Sequence, residues 1–170
     1  MNGALDAEST DRIVFSGETQ TGYISVDMPF ISHIHGNFYQ GGVEDGVVLP
    51  LHIEYVIGLY RSEKYRIKHQ LKAHKTYSML DSLGQPLTQV DEIARKAYEY
   101  GKLGHVLIHC QAGLNRSGLV MSRVLQMSGL TAEESVAMIR EKRSPYCLIN
   151  KHFEDWTLAT PIDRAGEAQG

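Results

Sequence analysis

Hydrophobic and polar positions alternate between two periods along the chain, and the switches divide it into elements. Short apolar runs bounded by Gly or polar clusters predict strands. Phe38-Tyr39-Gln40 ends at Gly41-Gly42, and Tyr55-Val56-Ile57-Gly58-Leu59-Tyr60 closes a stretch that opens at His52. Residues 76–80 read as a further strand. His105-Val106-Leu107-Ile108-His109 is the clearest of them, β-branched and set between Gly104 and a Gly-containing loop. Helical stretches carry start and stop signals. Thr88-Gln89-Val90-Asp91 has the form of a capping box, with Thr88 as N-cap, and its helix runs to about Tyr100, where Gly101 stops it. A second helix starts near Arg116 and ends at Gly129. A third opens with the capping box Thr131-Ala132-Glu133-Glu134 and ends before Pro145.

Strands alternating with helices predict an α/β fold: a single domain with a central, mainly parallel, twisted sheet flanked by helices. The domain is placed at 23–160. Residues 1–22 are polar and acidic, read either as a flexible lead-in or, at Arg12-Ile13-Val14-Phe15, as an edge strand; residues 161–170 read as a loose tail. The length of 170 residues suits one core, and 42% hydrophobic with 22% charged residues is the balance of a globular protein.

Charge narrows the classes of partner. A net charge of −3 supplies no basic field for nucleic acid, so none is expected as a partner. No stretch approaches the ~20 apolar residues of a membrane span. The first residues lack the basic and apolar regions of a signal peptide, so a cytoplasmic location is expected. Two cysteines, Cys110 and Cys147, are too few for a disulfide framework. Cys147, between Tyr146 and Leu148, reads as packing. His33-x-His35 has no convergent Cys or carboxylate, so no metal is expected. The basic stretch Lys64 to Lys75 reads first as a solvated amphipathic helix face, and second as a rim for acidic phosphopeptides or anionic lipid heads.

One segment concentrates the chemistry: His109-Cys110-Gln111-Ala112-Gly113-Leu114-Asn115-Arg116-Ser117-Gly118, where a buried strand gives way to a helix. A loop entering a helix N-terminus aims several backbone N–H groups at one spot, and such a nest binds phosphate. Gly113 permits the sharp turn. Cys110 stands at the base of the cradle, where N–H groups and the Arg116 guanidinium stabilise a thiolate, the nucleophilic form of cysteine. The planar fork of Arg116 holds two phosphate oxygens at once, and Ser117 is placed to hydrogen-bond the sulfur. Gln111, Ala112, Gly113, Leu114 and Asn115 complete the substrate cradle, and His109 reads as a residue that orients the loop.

These residues match Cys-x5-Arg-Ser/Thr, and the chain resembles the cysteine-based protein tyrosine phosphatases, the dual-specificity branch in particular. The resemblance extends thinly over residues 30–160, through Phe38-Tyr39-Gln40-Gly41-Gly42 and through Arg143-Ser144-Pro145 to Asn150 and Phe153. It implies a two-step reaction through phosphocysteine without metal or cofactor, a phosphorylated protein substrate, and a general acid on a separate loop. Asp81, 29 residues before Cys110 in a loop with Gly84 and Pro86, is the choice for that acid, and Asp91 is the competitor. The implied substrate is phosphotyrosine, extended in this branch to phosphoserine and phosphothreonine. Two alternatives stand beside it: a phosphoinositide or RNA 5′-phosphatase using the same cysteine, against which Gln111, Leu114 and Asn115 count because none is basic, and an inactive phosphobinding module, against which Cys110, Arg116 and Asp81 count.

Overall fold

The computed structural model describes residues 11–19, 22–62 and 64–163. Residues 1–10 of the expected lead-in, and the tail from residue 164 onward, lie outside the described residues.

Five strands form the central sheet in the order β3-β4-β7-β5-β6: β3 (Ile31–His35), β4 (Phe38–Gly41), β5 (Tyr55–Gly58), β6 (Ala73–Thr76) and β7 (Val106–His109). Neighbours pair parallel except β3, which runs antiparallel to β4. Val106, Leu107 and Ile108 are fully buried, as a central parallel strand covered on both faces requires. The helices α1 (Thr88–Gly101), α2 (Arg116–Met127), α3 (Ala132–Lys142) and α4 (Lys151–Ala159) flank the sheet. This is the single mostly parallel α/β domain that the sequence predicts.

Ahead of the sheet, β1 (Arg12–Thr19) and β2 (Gly22–Pro29) form a separate antiparallel hairpin. The part of 1–22 inside the described residues is therefore largely strand. Ile13, Val26 and Met28 turn inward to the core, with alternate positions exposed.

Three local expectations need correction. The strand expected at residues 76–80 lies at Ala73–Thr76, because its ladder is set by β5, which ends at Gly58 opposite Thr76. Residues 64–75 form no helix. Arg66 instead exchanges backbone hydrogen bonds with Val47 and Leu49 at 2.8 Å each, and Lys72 N–H donates to Glu54 O at 2.8 Å. The capping box at Thr88 does not form: Leu87 is the N-cap, already helical at φ −75° and ψ −21°, and makes no side-chain cap. Asp91 turns instead to Arg123, accepting from Nε at 2.7 Å and Nη2 at 3.1 Å. That pair ties α1 to α2, and Arg123 Nη1 also donates to Thr160 O at 2.6 Å beyond α4. The capping box at Thr131 and Glu134 is present in both directions.

Candidate active site

β7 delivers the chain to Cys110, and α2 begins at Arg116. Gly113 makes the turn between them at φ +77°. A Cβ there would lie 2.5 Å from Arg143 Nη2 and 2.6 Å from the Gly41 backbone, so both conformation and space demand glycine. Cys110 is 2% exposed. Gly113 N–H points at Cys110 Sγ at 3.3 Å, and Ser117 Oγ lies 3.3 Å from the same sulfur. The N-cap of α2, Asn115, makes no side-chain cap, which leaves the first-turn N–H groups available to an anion.

Two buried residues that the sequence reading gave no role in the site hold the loop from beneath. Arg143 Nε donates to Gly113 O at 2.7 Å and its Nη2 to Ala112 O at 3.1 Å. Its Nη1 reaches Pro29 O at 3.0 Å and Ser32 Oγ at 3.1 Å. Burial pulls the Arg143 pKa down to about 10, against the opposing pull of Cys147 and Cys110. Gln40 Nε2 donates to Gly113 O at 2.9 Å and lies 3.3 Å from Ser117 Oγ. Both loop carbonyls are thereby turned away from the side where the N–H groups gather. The usable signal for Gln40 is a polar residue inside the apolar strand Phe38-Tyr39-Gln40. Arg143 sits in a segment that carries the family resemblance.

His109 is fully buried, with Nε2 2.9 Å from Tyr65 Oη. Tyr65 belongs to the basic stretch, so that stretch reaches the site through a buried aromatic. Cys147 is fully buried, and burial pushes its thiol up to about 11. Its place is packing beneath the loop, with Gln40 Nε2 3.8 Å from its sulfur.

Asp81 reaches the same place from the segment after β6. Its Oδ2 accepts from Asn115 Nδ2 at 3.0 Å and its Oδ1 from Asn150 Nδ2 at 2.8 Å. Asn150 N–H in turn donates to Asn115 Oδ1 at 3.0 Å, and Asn150 Oδ1 caps α4 by accepting from Phe153 N–H at 3.3 Å. Asp81, the phosphate loop and the start of α4 are thus joined by three amide hydrogen bonds. Asn150 is a further residue to which the sequence assigned no site role.

Asp81, Cys110, Gln111, Ala112, Leu114, Asn115 and Arg116 all line one cavity of about 210 Å³; Gly113 and Ser117 are not in its lining and meet the Cys110 sulfur. Asp91 lies elsewhere, engaged with Arg123. Arg116 rests over the Tyr60 ring, 5.4 Å from its centroid, and its Nη1 lies 3.5 Å from Met79 O. Its Nε is buried without a hydrogen-bond partner. A buried donor of this kind costs about 1–3 kcal/mol unless something accepts from it. An arrangement of this kind can bind a phosphoryl group at the N–H nest, attack it with sulfur and supply a proton from a carboxyl at the rim. Among the described residues no cluster of His, Cys, Asp or Glu could hold a metal ion, and no helix is long and apolar enough to cross a membrane.

The family model for the dual specificity phosphatase catalytic domain matches residues 47–159. No curated protein matches the sequence. Among solved structures, human DUSP28 superposes with a TM-score of 0.62 at 14% identity, over 76% of this chain and 90% of that one. The human tyrosine phosphatase-like serine/threonine/tyrosine-interacting protein gives 0.58 at 17%, over 75% and 92%. PTPMT1 in complex with PI(5)P gives 0.54 at 16%, over 76% and 97%. At these identities the likeness is one of fold.

Proposed function

The chain belongs to the dual specificity phosphatase catalytic-domain family, and from that premise we propose that it hydrolyses phosphotyrosine in proteins, together with phosphoserine and phosphothreonine where the cavity admits them. The observation that carries this reading is the convergence of Cys110, Arg116 and Asp81 on one cavity.

In the first step the Cys110 thiolate attacks phosphorus. The sulfur–phosphorus bond forms as the bond to the substrate oxygen breaks, and Asp81 protonates that leaving oxygen. Arg116 and the loop N–H groups steady the equatorial oxygens. In the second step Asp81, now a carboxylate, takes a proton from a water that attacks the phosphocysteine. Phosphate leaves, and the Ser117 hydroxyl donates a hydrogen bond to the departing thiolate. Neither step calls for a metal or an organic cofactor.

A phosphoinositide or RNA 5′-phosphate would use the same sulfur. The neighbour solved with PI(5)P shares the fold, but among the described residues lining the cavity here Arg116 is the one cation, beside Glu18 and Asp81. A headgroup with several phosphates would meet two carboxylates and one guanidinium, which favours the singly phosphorylated protein side chain. The test is phosphate release from matched phosphotyrosine, phosphoserine and phosphothreonine peptides, a phosphoinositide and a 5′-triphosphorylated RNA, with Cys110→Ser beside each. Release from the peptides that the variant abolishes is the expected result; preferential release from lipid or RNA overturns the substrate assignment.

A further inference from the structure

The region matching the family begins at residue 47, yet the cavity over Cys110 has a wall from upstream of it. Phe15 and Ile24 of the β1–β2 hairpin line it, with Glu18 at its rim. The hairpin is fixed to the cradle itself. Ile13, Val26 and Met28 are buried in the core. Ile13 packs against Gly42, where an added Cβ would come within 2.4 Å of Ile13 Cδ1 and 2.8 Å of the Gln111 and Ala112 carbonyl oxygens. At the base of the hairpin, Pro29 O accepts from the same Arg143 that holds the loop, at 3.0 Å.

The wall has a shape. Phe15 and Gly17 lie on one face of β1, and Gly17 pairs with Ile24 across the hairpin. A Cβ on Gly17 would stand 3.1 Å from Phe15 Cζ, so the phenyl ring lies along the strand over the space that glycine leaves open. Phe15 and Ile24 are only partly buried, and they place apolar surface beside Gln111, Ala112 and Leu114 at the cavity mouth. An apolar cavity of about 150 Å³ is enough for a benzene ring. The cavity here, of about 210 Å³, has room for a phosphoaryl group, with Cys110 and the Phe15–Ile24 wall both in its lining. A phosphoserine or phosphothreonine side chain has no ring to reach it.

We propose that the β1–β2 hairpin is the specificity-determining wall of this phosphatase, with Phe15 and Ile24 contacting the substrate ring and selecting phosphotyrosine over phosphoserine and phosphothreonine. The assignment rests on the phosphatase reading above. Ring contacts of this kind contribute a factor of about three to ten, and in a hairpin that is already folded they appear in KM.

The experiment compares full-length wild type with Phe15→Ala, Phe15→Leu and Ile24→Ala on phosphotyrosine and phosphothreonine peptides of one sequence. Inhibition by orthovanadate, which occupies the phosphate cradle alone, is followed in parallel. Val14→Ala, on the exposed face of β1, is the control. The expected result is a wild-type preference for phosphotyrosine. Phe15→Ala and Ile24→Ala each lose about three- to tenfold in kcat/KM on that peptide, through KM, with Phe15→Leu intermediate. Phosphothreonine turnover and vanadate inhibition stay unchanged, and Val14→Ala behaves as wild type. A wild type that turns over both peptides equally overturns the proposal, as does a selectivity ratio unmoved by the variants; both results leave the phosphatase reading standing. Variants that lose vanadate inhibition and both activities together make the hairpin a brace and also overturn it. A wild type inert on every phosphopeptide overturns the protein-phosphatase reading itself.

Discussion

The phosphate loop and the segment bearing Asp81 meet in one cavity, yet they are built in opposite ways. Cys110, Ala112, Gly113, Leu114 and Ser117 are buried, and the Gly113 carbonyl alone accepts from both Arg143 and Gln40. The Asp81 segment is open. Leu80 is 54% and Leu83 73% exposed, and the carboxylate is held by two side-chain amides reaching over from Asn115 and Asn150. On the proposed mechanism the difference follows from what each would meet. A phosphoryl group has one size and charge, so a cradle preorganised by the core suits every substrate. On the same mechanism the leaving oxygen comes attached to different peptides, and a proton donor on a solvent-exposed segment can follow it.

The largest effect is expected at Asp81. Asp81→Ala should lower kcat on phosphotyrosine peptide by roughly 10²–10⁴-fold, with a smaller loss on substrates whose leaving group needs no proton, measured by steady-state kinetics. Asp91→Ala should leave kcat near wild type and instead lower stability, by about 2 kcal/mol for a partly exposed partner of buried Arg123, read by denaturant unfolding. The reverse pattern would move the acid to Asp91. Next, Arg116→Lys keeps the charge and loses the fork, and it should cost about 10²–10³-fold in kcat/KM. Arg143→Met tests the cradle's support. Leaving the Ala112 and Gly113 carbonyls short of donors should cost about 1–3 kcal/mol of stability, with a parallel weakening of vanadate inhibition. Smallest is the effect at Cys147, whose burial pushes its thiol up to about 11 and keeps it protonated. Iodoacetamide at neutral pH should modify Cys110, with vanadate protecting it, and leave Cys147 untouched, as peptide mass mapping would show.

Much of this molecule is legible in its sequence because the informative residues act locally. His105 to Ser117 spells a buried strand, a glycine turn and a helix start, and Thr131 with Glu134 closes a box within one turn; both need only near neighbours. What escapes depends on partners far along the chain. Thr88 to Asp91 has the letters of a capping box, but Asp91 is drawn to Arg123, 32 residues on. β6 takes its boundaries from β5, not from its own apolar residues. The basic stretch forms no helix because Arg66 pairs with Val47 and Leu49 and its end from Ala73 joins β6. Residues 22–29 do carry a strand signal, Ile24, Val26 and Met28 at alternate positions, and it is the trace by which the hairpin could be found. In the site, Cys110, Arg116 and Asp81 come from motif and spacing. Arg143, Gln40 and Asn150 gain their roles only when the sheet, α4 and the loop are assembled.

Attack of sulfur on phosphorus is read out by rapid acid quench of enzyme turning over phosphotyrosine peptide, followed by mass mapping of the phosphoryl group. A phosphoryl adduct on Cys110, formed in a burst and absent from Cys110→Ser, is the predicted result. Steady turnover with no adduct on Cys110, or turnover retained by Cys110→Ser, would contradict it.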